Sequence, residues 1–328
     1  MTNVKIRAID VYHPEKQVEN KYYLEHFEKQ GKDIDRLLKA FGKDKRYIID
    51  NLTENTLTMG IEASKKALKK AGLTGEDIDL IIFTSQFPEY TIPPQSLMVH
   101  RAINGKAQTF CTDSNADCVG MIVAFDYASR YLQNNKDMNK ALIIGSDYIS
   151  VHCREYDEYT YPLFGDSACA VILEKTEEDC GFVDSFYSTN SENPDIVKFP
   201  ASGSSKIYDS DINERKIHWT PFDGAFIIDY AKESVDKLLQ KHSMNLTDID
   251  WFCFSQFALP IIDGSAEKFG VDRDKFIYVG NKYGYTGTSS PFIALYEGIE
   301  NGQIKRGDNV AFWSIGGNWI TCAMLIKY

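Results

Sequence analysis

Two kinds of apolar pattern alternate along the chain. Short continuous runs, Leu80-Ile-Ile-Phe83, Ala141-Leu-Ile-Ile-Gly145 and Asn309-Val-Ala-Phe-Trp-Ser-Ile315, read as strands covered on both faces. Between them, apolar residues recur at three- and four-residue spacing over 55–71, 224–241 and 290–301, which predicts amphipathic helices. A further helix is predicted from Met121, Ile122, Phe125, Ala128 and Leu132. Residues 1–10 alternate like a strand and lack the long apolar run of a signal peptide. Strands alternating with helices predict α/β layers.

The pattern repeats. Glu76-Asp-Ile-Asp-Leu-Ile-Ile-Phe-Thr-Ser-Gln-Phe87 resembles Thr247-Asp-Ile-Asp-Trp-Phe-Cys-Phe-Ser-Gln-Phe257. At a nearly constant offset, Asp79 pairs with Asp250, Ser85 with Ser255 and Ala141 with Ala311. The chain therefore reads as two halves of one ancestral strand–helix–strand unit, 1–174 and 175–328, packed without a flexible linker. Residues 190–220 are polar and aperiodic, and read as an excursion: a cap, a lid or a surface loop.

A net charge of −11 repels nucleic acid. No stretch approaches the roughly 20 apolar residues of a membrane helix. The seven cysteines are odd in number and have no C-x-x-C spacing, so neither a disulfide framework nor a metal site is expected. Free thiols suit the cytoplasm, and no cofactor signature is present.

Cys118 carries the candidate chemistry. It lies in Asp113-Ser-Asn-Ala-Asp-Cys-Val-Gly120, directly ahead of the helix predicted from Met121. The positive end of that helix is expected to favour the thiolate, the form that attacks carbonyl carbon.

Four segments in order, 113–120, Leu163-Phe-Gly-Asp-Ser-Ala-Cys-Ala-Val-Ile-Leu173, Asn281-Lys-Tyr-Gly-Tyr-Thr-Gly287 and Ser314-Ile-Gly-Gly-Asn318, resemble the β-ketoacyl-acyl-carrier-protein synthase III family of the thiolase fold. The resemblance spans nearly the whole chain and implies a five-layered αβαβα architecture. It also implies that Cys118 accepts an acyl group from a thioester of a carrier protein or coenzyme A. The oxyanion would be held by the N–H groups of Cys118 and Gly317.

The family's histidine and asparagine, which assist malonyl decarboxylation, fall on Ser255 and Tyr285. A hydroxyl cannot act as imidazole does near neutral pH. An arginine used in carrier-protein docking falls on Pro260, and one that stacks on adenine falls on Glu158. Lys39, Lys43 and Lys45 are the basic candidates left for a carrier protein. Replacement acids or bases are Glu89, Asp117 and His152, and Phe87, Tyr90, Ile92 and Phe257 are candidates for an apolar acyl pocket.

The leading expectation is an acyltransferase that loads Cys118 and passes the acyl group to a carbon, oxygen or nitrogen nucleophile, in fatty acid, polyketide or secondary metabolism. Ordinary 3-oxoacyl-carrier-protein synthesis and a non-catalytic or weakly catalytic partner subunit of an active paralogue are the alternatives. A homodimer is expected, or a heterodimer with such a paralogue.

Overall fold

Buried strands and the helices between them sort into two sheets with the same strand order. The computed structural model describes residues 2–192 and 195–328. Met1, at the head of the predicted first strand, and residues 193–194, in the predicted excursion, lie outside the described residues. The first sheet runs Asn3–Tyr12, Ser167–Thr176, Lys140–Asp147, Leu80–Thr84, Phe110–Ser114 across its width. The last three are mutually parallel, and the first two are antiparallel to their neighbours. The second sheet runs Gly181–Thr189, Ile320–Lys327, Asn309–Ile315, Trp251–Phe254. Each of its members occupies the place of a first-sheet strand. The counterpart of Phe110–Ser114 is reduced to one bridge between Phe252 and Phe276.

The helices complete the layers. Gly120–Asn134 and Ser290–Glu300 lie between the sheets, and Phe125 stacks on Phe292 with ring centroids 5.8 Å apart. Both faces of these helices meet apolar strands, so Met121 to Phe125 and Phe292 to Leu295 are all buried. The helix Thr56–Ala71 covers the outer face of the first sheet. It starts at a capping box between Asn55 and Thr58 and stops at Gly72 in the left-handed conformation. Phe226–Lys241 and Leu259–Phe269 cover the outer face of the second. The result is the αβαβα order implied by the resemblance, and each predicted strand and helix has its counterpart.

The 190–220 segment does more than run over the surface. Val197–Lys198 pairs antiparallel with His218–Trp219. This small hairpin turns Val197, Phe199, Ile217 and Trp219 towards Cys118, where they wall a cavity. Its polar composition hid that role, because only a few apolar residues face inward while Tyr208 and Ile212 stand in solvent.

Candidate active site

The nucleophile sits where the first sheet hands the chain to a central helix. The strand Phe110–Ser114 ends, Asp117 adopts φ 50°, and the helix begins at Gly120. An aspartate tolerates this left-handed region better than most residues. Ser314 Oγ donates to the Cys118 carbonyl at 3.0 Å and fixes the elbow to the second half. Among the described residues, neither the Cys118 nor the Gly317 amide N–H donates to another group.

A chain of hydrogen bonds reaches the sulfur. Ser255 Oγ donates to the Tyr285 hydroxyl at 3.5 Å, and Tyr285 lines the cavity beside the Cys118 thiol. Cys118 Sγ donates to Gln86 Oε1 at 3.4 Å, and Gln86 Nε2 donates to Asp147 Oδ2 at 3.3 Å. Asp147 is buried and also accepts from Ser85 Oγ, Gln86 N and Thr288 N. These bonds fix which way the Gln86 amide faces, so its oxygen points at the sulfur. Gly287, at φ +61°, is required at this point: a Cβ would lie 2.5 Å from Asp147 Oδ2 and 2.7 Å from Gln86 Nε2.

Electrostatics reverse the expectation for the thiol. Burial pushes the Cys118 thiol up to about 12, and the negative charges of Asp117 and Asp147 add to this; Tyr285 and Gln86 offset only part. The first turn of the helix and the apolar surroundings of the thiol fit this direction. Met121 N–H is already taken by Thr288 Oγ1 at 2.7 Å, and the sulfur packs with Phe164, Ile217 and Tyr285. Burial likewise pushes the Asp147 carboxyl up to about 6 and raises that of Asp117.

The cavity above the sulfur holds about 140 Å³ and is mostly apolar, with many aromatic side chains in its wall. Phe87, Phe257, Asp117, Tyr285 and Gly317 line it with Cys118, as the sequence suggests. Ser255 is buried behind Tyr285. Other candidates lie elsewhere. In the single chain Glu89, Tyr90 and Ile92 are exposed, on a loop held by Glu89 N donating to Gln95 Oε1. They do not line this cavity. His152 lies behind the wall, with ring centroids 5.1 Å from Phe87 and 4.4 Å from Phe199. Burial lowers its imidazole to about 4, so it is neutral at working pH. Lys43 cannot meet a carrier protein: it is buried, and its ammonium donates to the Gln256 carbonyl at 2.5 Å. Lys39 is exposed and pairs with Asp35, and Glu158 pairs with Lys32.

Sequence reasoning left Gln86, Asp147, Lys198, Trp219 and Trp319 without roles. The motif Ser85-Gln86 and its repeat Ser255-Gln256 was the one signal for Gln86. A second cavity of about 290 Å³ adjoins the first and shares Trp219, Phe222, Ile227 and Phe257 with it. Trp219 stacks on Phe257 at 5.7 Å and 20° between the two. Among the described residues no group of histidine, cysteine and carboxylate side chains is arranged to hold a metal, and no helix is long and apolar enough to cross a membrane.

Comparison with known proteins agrees with this architecture. The profile of 3-oxoacyl-[acyl-carrier-protein (ACP)] synthase III matches residues 112–191, and that of its C-terminal part matches 239–328. The chain is 34% identical over 333 residues to a beta-ketoacyl-[acyl-carrier-protein] synthase III of Clostridium perfringens, covering 100% of both. It is 28% identical over 328 residues to one from Coxiella burnetii, again over 100% of both. The crystal structure of 3-oxoacyl-[acyl-carrier-protein] synthase III from Aquifex aeolicus superposes with a TM-score of 0.88 at 25% identity, covering 99% of this chain and 100% of that one.

Proposed function

The chain belongs to the 3-oxoacyl-[acyl-carrier-protein] synthase III family and is an acyl-transferring condensing enzyme; from this we propose that Cys118 is its acyl carrier and that malonyl decarboxylation is weak or absent. The observation that carries the reading is a thiol at the end of an aromatic cavity, beside two amide N–H groups with no protein acceptor among the described residues. Those amides, of Cys118 and Gly317, would hold the oxyanion formed when a thioester carbonyl is attacked. Donors would be thioesters of carrier protein or coenzyme A, as in the names of the relatives for the former.

Against decarboxylation stands the chemistry of the two replaced positions. Ser255 and Tyr285 offer hydroxyls, and burial raises the Tyr285 hydroxyl further above its ordinary value. His152 is walled off by Phe87 and Phe199. The acyl group would be short, because a cavity of about 140 Å³ approaches the ~150 Å³ that accommodates one benzene ring. The 1–174 and 175–328 halves would each supply one wall.

A homodimer through the first sheet is part of the proposal. The outer edge of Phe110–Ser114 has no partner strand among the described residues, and Phe110, Tyr127, Tyr131 and Leu97 stand exposed around it.

Intact-mass spectrometry tests the function. Incubation with short acyl thioesters should add one acyl group, lost in Cys118→Ala, while malonyl thioester should release no carbon dioxide at a useful rate. Absence of an adduct with every donor would favour a partner-subunit role instead.

A further inference from the structure

With Ser255 at the position expected for the family's histidine, one carboxyl in the cavity wall accepts no hydrogen bond among the described residues. Asp117 lines the cavity beside Cys118. Its side chain lies against Gly316, where an added Cβ would meet Asp117 Cβ at 2.8 Å and Oδ2 at 3.3 Å. Its backbone N–H is held by Asn115 Oδ1 at 2.9 Å, but among the described residues no group donates to its carboxyl. A half-buried carboxyl that lines the cavity without a protein donor is left available to a group entering the cavity.

Resting on the acyl-transfer reading above, we propose that Asp117 is the general base of the transfer step, and that the acceptor is a carbon acid flanked by two carbonyls, such as a β-keto thioester. The acceptor class follows from what surrounds the carboxyl. A malonyl carboxylate would meet Asp117 as a like charge. Lys198, the cation in the cavity wall, is already paired with Asp195 at 2.5 Å. A neutral dicarbonyl avoids that repulsion. Tyr285, in the cavity wall beside the thiol, has a hydroxyl that can donate to an acceptor carbonyl.

The step balances. Asp117 takes the proton from the doubly activated carbon. The carbanion attacks the acyl carbonyl, forming the C–C bond. Collapse of the tetrahedral oxyanion breaks the C–S bond, and the electron pair leaves on Sγ. Asp117 returns its proton to that sulfur, so thiol and carboxylate are both restored without loss of carbon dioxide.

The test separates loading from transfer in the whole protein. Cys118 is loaded from the hexanoyl thioester of N-acetylcysteamine, and single-turnover transfer to the acetoacetyl thioester is followed by intact mass. In Asp117→Asn, loading should quicken, because a charge that holds the thiol up is gone. Transfer should fall at least ~100-fold, as expected for a lost general base. A structural defect would slow both.

The wild-type transfer rate should plateau above one ionisation lying higher than the ordinary carboxylate range, whereas the variant should keep rising tenfold per pH unit with the acceptor's own ionisation. The other ionisable groups facing Asp117 are Cys118, acylated in this assay, Tyr285, Lys198 with its Asp195 partner, and Asp147 behind Gln86.

Transfer in Asp117→Asn within threefold of wild type, a wild-type profile without a plateau, or faster transfer to benzylamine than to the dicarbonyl would each overturn the proposal. The last two are read on wild type, so they decide even if the variant fails to fold. No adduct on wild-type Cys118 would instead overturn the acyl-transfer reading on which this one stands.

Discussion

Alkylation of Cys118 gives the sharpest test of how the fold treats its nucleophile. The perturbation is pH, and the measurement is the rate of carbamidomethylation of the Cys118 peptide by iodoacetamide, followed by mass spectrometry. A thiol raised from 9.0 to about 12 holds about a thousandfold less thiolate at any pH below 9. Nucleophilicity of each thiolate rises with its pKa at a Brønsted slope of ~0.4–0.5, which returns roughly 15- to 30-fold. The net expectation is a rate ~30- to 60-fold below that of an unperturbed thiol at pH 8. The rate should climb tenfold per pH unit from pH 7 to pH 10 without a plateau. Were the helix end in control, the thiolate would predominate near pH 7 and the profile would be flat above it. A plateau below pH 9, or a rate above that of a free thiol, would refute the attribution of the raised thiol to burial and to the charges of Asp117 and Asp147.

Three further outcomes follow from the same geometry. Asp147 keeps its proton to about 6 when folded but would lose it near 3.8 when unfolded, so wild-type stability should fall as pH rises through that window. Urea denaturation should therefore move the difference between Asp147→Asn and wild type in the variant's favour by about 2 kcal/mol between pH 4 and pH 6; a pH-independent difference would contradict this. Gly287→Ala should cost ~2–4 kcal/mol in the same assay, since its Cβ meets Asp147 and Gln86 and its φ is +61°. Trp219→Ala should join the two cavities, so that a decanoyl thioester, which loads wild type poorly, loads at a rate near that of hexanoyl; unchanged chain preference would remove Trp219 as the divider.

Strands and helices were legible because burial on both faces leaves continuous apolar runs, and because the repeat showed each pattern twice. Cys118, Gly317, Phe87 and Phe257 were legible because motifs carry them. What escaped depends on distance in space. Gln86 meets the sulfur, and Asp147 meets Gln86, only after three strands are laid side by side, and no local pattern records that. Lys43 looked like a surface cation, yet the loop after Asp35–Phe41 turns it inward onto Gln256. The thiol misled for a related reason. A helix terminus is visible in sequence, but the hydroxyl of Thr288 that takes its amide comes from the other half of the chain.

The raised thiol has a consequence for the second half-reaction. A thiolate of high basicity is a poor leaving group, so an acyl group on Cys118 departs slowly unless the sulfur is protonated as the C–S bond breaks. The acyl-enzyme is therefore expected to persist against water, and to release its acyl group when a proton arrives with the acceptor. Asp117 provides that coupling: it holds a proton at the sulfur only after taking one from the acceptor's carbon. A site whose nucleophile had been driven to a low pKa by an adjacent imidazolium would lack it, since its thiolate leaves without help. On the proposed reading, a serine where the family's histidine is expected and an aspartate that accepts no hydrogen bond among the described residues are two sides of one arrangement, in which loading is slow, storage is stable and discharge waits for an acidic carbon. Hydrolysis of the acyl-enzyme measured alongside dicarbonyl transfer in wild type decides the point: discharge to water as fast as discharge to the acceptor would leave the raised thiol without the function argued for it.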